Sequence, residues 1–166
     1  MIELRDIPLF KGLDEATTEA IAGVFLTTRI DAGSVVFHQG DQGNALVVVL
    51  EGLFELVQVD DDGGEIHLAD VEPGRVLGLT SLVDPGPRTA TLRALEDGEL
   101  AVLDRATFMK LWDAQGDAAA QLHVQLAVIG IGELRSAYRK LMDTLSAPLE
   151  APDRLQQRIY EAGPYR

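Results

Sequence analysis

Apolar residues in this chain change their spacing from helical to strand-like and back again. After Ile7-Pro8-Leu9-Phe10 and Leu13, Asp14 stands where a helix N-cap belongs. Ala20, Ile21 and Val24 follow at helical spacing, which predicts a helix over Ala16–Phe25. From Arg29 the texture becomes that of short strands. Ser34-Val35-Val36-Phe37 reads as one, and Gly40-Asp41-Gln42-Gly43-Asn44 as a turn cluster. Ala45–Leu50 is an unbroken apolar run, the length of a buried strand and short of a helix. Gly52 interrupts it, and Leu53–Val59 continues with partial alternation. Asp60-Asp61-Asp62-Gly63-Gly64 predicts a hairpin, because Asp-Gly and Gly-Gly supply the positive φ such turns need. Glu65–Val71 returns as a strand, Pro73-Gly74 makes a turn, and Thr89–Ala94 and Glu99–Leu103 read as two further strands. Short strands at about 8–12-residue spacing predict an all-β barrel or double-sheet roll. Gly33, Gly40, Gly43, Gly52, Gly74 and Gly78 supply its corners.

The last third is helical. Asp104 caps a predicted helix containing Phe108, Leu111 and Trp112 and ending near Gly116. A longer helix is predicted from Asp117 to Leu145. On it Val124, Ala127, Ile131, Leu134, Tyr138, Leu141 and Leu145 alternate steps of three and four, a seven-residue repeat that marks a coiled-coil seam. Leu122, Leu126 and Ile129 form a second apolar line that suits the barrel. Gly130 and Gly132 each cost about 1 kcal/mol against alanine inside a helix, and point to close backbone approach or a bend. From Ser146 the tail holds Pro148, Pro152 and Pro164 and reads as extended or loosely packed. The expected organisation is a roll with its first helices over 1–116, a long helix over 117–146 and a tail over 147–166. The seam has no second use in a single barrel, so a homodimer is favoured over a helix folded back on its own roll.

Charge and composition remove several functions. The 166 residues carry a net charge of −13 and no cysteine. A surface this acidic repels nucleic-acid backbones and anionic membranes, although a local pocket inside it can still be positive. The absence of cysteine excludes disulfides and thiolate metal sites. Met1-Ile2-Glu3-Leu4-Arg5-Asp6 lacks the features of a secretory signal, and no apolar run approaches the ~20 residues of a membrane span. A cytoplasmic protein without membrane or nucleic-acid partners is expected. His38, His67 and His123 lack the pairing of barrel metal sites, and Ser34, Ser81 and Ser136 have no triad partners. Asp60-Asp61-Asp62 lacks the spaced ligands of a calcium loop and fits a solvated hairpin tip. No catalysis, metal or resident cofactor is predicted, which leaves a cupin-like barrel enzyme without its ligands.

The chemistry concentrates in one cassette. Leu77-Gly78-Leu79-Thr80-Ser81-Leu82 is followed, after four residues, by Pro87-Arg88-Thr89-Ala90-Thr91-Leu92. It reads as a short loop and turn delivering Arg88 into apolar surroundings. A buried guanidinium needs an anion beside it. That anion is either a carboxylate of the fold, such as Asp41, Glu51 or Glu55, or the phosphate of a ligand.

The order helix, glycine-punctuated roll, cassette, helix, long helix resembles the cyclic nucleotide-binding domain family over roughly Ile7 to Leu145. The family pattern is Phe-Gly-Glu-apolar-(Ala or Ser)-Leu, a short spacer, then (Pro or Arg)-Arg-any-Ala. Leu77, Gly78, Thr80, Ser81 and Leu82 take the first set of places, and Pro87, Arg88, Thr89 and Ala90 complete it without insertion or deletion. The resemblance implies a mainly β fold with flanking helices, a double-stranded β-helix or jelly-roll. It implies that Arg88 pairs with a cyclic phosphate, that Thr89 contacts phosphate or purine in a manner associated with guanine, and that Gly78 and Ser81 offer backbone N–H groups. The binding set implied is Gly78, Leu79, Thr80, Ser81, Pro87, Arg88 and Thr89, with cAMP or cGMP as ligand. The departure is Leu79, where the family places a glutamate for the ribose 2′-hydroxyl. A hydrogen bond to a charged group contributes about 1.5–3 kcal/mol, so its loss weakens binding about ten- to a hundred-fold.

Two readings follow. One is a stand-alone sensor, without a DNA-binding domain, that binds a cyclic nucleotide or related phosphate through Arg88 and signals through its C-terminal helices, Gly116 serving as hinge. The other, motivated by Leu79 and by a tail too short for an effector domain, is a ligand-free scaffold for dimerisation or for docking an unknown effector protein. The scaffold requires Arg88 to be paired inside a filled pocket.

Overall fold

The computed structural model describes residues 2–114 and 116–146. The tail expected over 147–166 lies outside the described residues. Eight strands are found among those described: β1 Leu26–Ile30, β2 Val35–Phe37, β3 Ala45–Glu51, β4 Phe54–Val59, β5 Glu65–Val71, β6 Val76–Leu77, β7 Thr91–Ala94 and β8 Gly98–Asp104. One sheet runs β1-β8-β3-β6 and the other β2-β7-β4-β5, every pairing antiparallel. The mainly β architecture with flanking helices is the one expected.

The unbroken apolar run of β3 has a two-sided cause. Leu46, Val48 and Leu50 enter one core, shared with Ile7, Phe10, Ile21, Phe108 and Leu122 from the helical elements. Val47 and Val49 enter a second, shared with Leu100 of the same sheet and Phe54, Val71 and Leu92 of the other. A strand covered on both faces shows no alternation. β8 is divided likewise, with Ala101 and Leu103 in the first core and Leu100 in the second.

Two short 3-10 turns, Leu4–Asp6 and Pro8–Phe10, precede α1, Glu15–Ala22. Asp14 caps α1, accepting the Thr17 N–H at 2.7 Å. The helix stops at Ala22, short of the Phe25 expected, where Gly23 closes it by donating to Glu19 O. Phe25 instead packs on Phe10, ring centroids 6.2 Å apart. β1 went unread because it is an edge strand. Its first four residues are exposed, and only Ile30 packs against the second core. In the hairpin after β4, Asp60 Oδ1 accepts the Gly64 N–H at 2.7 Å and the Asp62 N–H at 3.1 Å, which is turn chemistry.

Asp104 caps α3, Arg105–Ala114, through the Thr107 N–H at 2.9 Å and the Thr107 hydroxyl at 2.8 Å. α4 spans Asp117–Ser146. Ala119, Leu122 and Leu126 are buried and Ile129 packs against the first core, so the second apolar line faces the roll as expected. By contacts, one compact unit extends to Gly130. The unit beginning at Ile131 is helical through Ser146 and exposes Ile131, Leu134, Tyr138, Leu141 and Leu145. Val124 and Ala127, earlier on the same line, are exposed as well.

Candidate anion-binding site

Arg88 is held by its backbone before its side chain makes any contact. Its N–H donates to Asp41 O at 2.7 Å, and its carbonyl accepts the Gly40 N–H at 2.8 Å. Next to it Gly43 N–H donates to Gly86 O at 2.8 Å, and Gln42 bridges to Pro87. The turn cluster at 40–44 is thus zipped to the segment that carries the arginine. Pro87 adds a fixed φ at the entry. β7 begins at Thr91, not Thr89, and Thr89 and Ala90 lie between this clamp and the ladder.

The guanidinium then crosses toward the other sheet. Nη2 donates to Ala45 O at 2.8 Å and Nη1 to Ser81 Oγ at 3.1 Å, and the group lies 4.3 Å from the Phe37 ring centroid. Gly78 makes this path available. Its φ is +72°, and a Cβ there would collide with Arg88 Nη1 and lie 2.7 Å from Ala45 O. Gly43 plays a parallel part under Ser81, whose hydroxyl occupies the space a Cβ at 43 would need.

Arg88 is half-buried, less enclosed than its apolar sequence neighbours imply, and no carboxylate pairs with it among the described residues. Each of the three expected acidic candidates is placed elsewhere. The Asp41 carboxylate accepts the His38 N–H at 2.8 Å. Glu55 binds Arg93 Nε at 2.7 Å, with Glu65 completing that network at 3.1 Å. Glu51 lines a separate crevice with Asp31, Asp97 and Glu99. Partial burial lowers the Arg88 pKa, an effect that the charge of Asp41 only partly opposes. An arginine is cationic regardless. It donates five N–H bonds, and two of them are committed to Ala45 and Ser81.

Beside the guanidinium the protein leaves a cavity of about 200 Å³. Gly78, Thr80, Ser81, Pro87, Arg88 and Thr89 all line it, so six of the seven residues of the implied binding set meet at one place. Leu79 does not. It opens the short helix α2, Thr80–Val83, and its side chain packs onto the first core. There it lies 3.1 Å from where a Cβ on Gly130 would stand, which accounts for that glycine as close approach. The Ser81 N–H is spent on Gly78 O at 3.0 Å, so Ser81 contributes its hydroxyl and not its amide. Leu77 and Ala90 of the cassette complete the lining with Phe37, Leu56 and Leu68, and the last three were not among the residues the sequence pointed to. Phe37 and Leu56 lie in segments that read only as strands, the second with partial alternation. Their convergence on Arg88 depends on the order β2-β7-β4, which no local pattern encodes.

Arg88 is thus a half-buried cation, without a salt bridge among the described residues, at the wall of a cavity in a two-sheet roll. The Cyclic nucleotide-binding domain family model matches residues 27–115. The chain belongs to the cyclic nucleotide-binding domain family. The cyclic AMP receptor protein of Thermus thermophilus is 35% identical over 108 residues, covering 65% of this chain and 50% of that protein. The cAMP-dependent protein kinase regulatory subunit of Blastocladiella emersonii is 30% identical over 108 residues, 65% of this chain and 27% of that one. The chain thus matches half or less of the length of these relatives. The crystal structure of the Thermus thermophilus catabolite activator protein superposes with a TM-score of 0.74 at 34% identity, covering 84% of this chain and 63% of that one. Among the described residues no helix is long and apolar enough to cross a membrane.

Proposed function

We propose that this chain is a regulatory module that binds a cyclic nucleotide or a related phosphate ligand at Arg88 and signals through its C-terminal helices. The observation that carries this reading is the guanidinium itself, with three N–H groups uncommitted and a cavity beside it. Phosphate oxygens match that need through short, charge-assisted hydrogen bonds. Ser81 supports the arginine, and Thr80 and Thr89 put hydroxyls on the same wall. Thr89 is assigned contact with the phosphate or base, and Pro87 and Gly78 shape the approach. A scaffold with an internally neutralised arginine is disfavoured by the absence of a salt bridge to Arg88 among the described residues. The exposed line Val124, Ile131, Leu134, Tyr138, Leu141 and Leu145 supports pairing of two copies through α4, its heptad spacing being that of a two-helix seam.

Calorimetric titration of the full chain with cAMP and cGMP tests the binding step. Wild-type protein should give a saturable heat, and Arg88→Ala should lose at least about thirtyfold in affinity, from the roughly 2–5 kcal/mol that truncating one partner of a desolvated charge pair costs. Arg88→Ala should remain folded, since removing the side chain also removes a partly desolvated charge. Absence of heat and of any thermal shift at millimolar ligand removes the sensor reading.

A further inference from the structure

The cavity is one-sided in its chemistry. Among the described residues its only ionised side chain is Arg88. The remaining oxygen-bearing side chains on its wall are the hydroxyls of Thr80, Ser81 and Thr89, and Ser81 Oγ already accepts from Arg88. Among the described residues no carboxylate or carboxamide lines it. Leu79, between Gly78 and Thr80 in sequence, is withdrawn into the first core and held against Gly130, so its place contributes no polar group. The rest of the wall is Phe37, Leu56, Leu68, Leu77 and Ala90. One cation is matched by one negative charge, which a phosphodiester carries. An apolar wall is matched by an aromatic or aliphatic body.

Among the described side chains on this wall, only the neutral hydroxyls of Thr80, Ser81 and Thr89 could accept from a sugar hydroxyl. We propose that the site reads the phosphodiester and the apolar body of its ligand and does not read the sugar 2′-hydroxyl, so that ribo- and 2′-deoxyribo ligands are accepted alike. This rests on the reading of Arg88 as a phosphate site. It concerns a different part of the ligand, so the two can fail separately.

The experiment is a pair of calorimetric titrations of the full wild-type chain, with 3′,5′-cAMP and with 2′-deoxy-3′,5′-cAMP. The dissociation constant of the deoxy compound should lie within about threefold of the ribo compound's, or below it, whereas a 2′-hydroxyl bonded to a carboxylate would make the deoxy compound about ten- to a hundred-fold weaker. A loss on deoxygenation of more than about threefold, with both compounds binding, overturns this inference and leaves the phosphate reading standing. Failure of both compounds to bind at millimolar concentration overturns the two together.

Discussion

Replacing Gly78 by alanine tests the geometry around Arg88 more sharply than removing the arginine. Two costs follow from the structure. The φ of +72° places an L-residue in the left-handed region, at about 1–2 kcal/mol. The new Cβ would also stand 2.7 Å from Ala45 O and against Arg88 Nη1. Ala45 opens β3 and is held in register opposite Asp104 of β8, so its carbonyl has little freedom to retreat. Overpacking of this kind costs about 1–3 kcal/mol. The sum of about 2–5 kcal/mol should lower the melting temperature by about 5–15 °C for a domain of this size. Gly63→Ala is the control. Its φ is +83° but nothing lies within 4 Å of the added Cβ, so it should show the conformational cost alone. Thermal unfolding of both variants, with ligand titration below the melting range, separates crowding from backbone strain. Gly78→Ala should also lose affinity, because the arginine moves or its bond to Ala45 breaks, whereas Gly63→Ala should keep it. If Gly78→Ala melts no lower than Gly63→Ala and binds like wild type, the close packing of Arg88 over Gly78 is refuted.

The exposed seam and the α3–α4 contact yield further expectations. Leu134→Lys with Leu141→Lys should convert a dimer to a monomer by light scattering while leaving the melting temperature of the roll unchanged. A wild-type chain already monomeric at high micromolar concentration would contradict the seam. His123 packs against Trp112 with ring centroids 4.0 Å apart, and its Nε2 is buried without a hydrogen-bond partner. Burial lowers its pKa, so the neutral ring is the form the fold prefers. The stability this contributes is complete above the ordinary histidine value and declines as pH falls through it toward the lower folded value. His123→Phe should flatten the pH dependence of unfolding in that window, and an unchanged slope would show that the ring titrates as in water. Asp104→Ala should cost about 1 kcal/mol through loss of the α3 cap, read by chemical denaturation. A loss under a few tenths would show that the Thr107 contacts carry no net stability.

Local signals made most of the roll legible. The hairpin at Asp60–Gly64, the strand Glu65–Val71 and the capping roles of Asp14 and Asp104 depend on short-range chemistry, and each stands where it was expected. β1 and β6 were not legible. The first is an exposed edge with two adjacent threonines, and the second is two residues long, so neither carries a periodicity. The cassette was legible as a linear pattern, and the structure brings Gly78, Thr80, Ser81, Pro87, Arg88 and Thr89 to one wall. What the linear pattern could not convey was direction. Leu79 turns into the core because α2 presents it to α4, and Arg93, not Arg88, captures Glu55 because β7 and β4 are neighbours. Those outcomes depend on sheet order and helix packing, which join residues far apart in the chain.

A crystal structure of the chain with cAMP bound addresses the role of Arg88 without intermediary. The phosphate should lie in the cavity beside Phe37 and Ser81, with its oxygens about 2.7–3.0 Å from guanidinium nitrogens that still carry uncommitted N–H groups, as in other charge-assisted pairs. Arg88 turned out to water, or the nucleotide seated elsewhere with the guanidinium still bound only to Ala45 and Ser81, would contradict it.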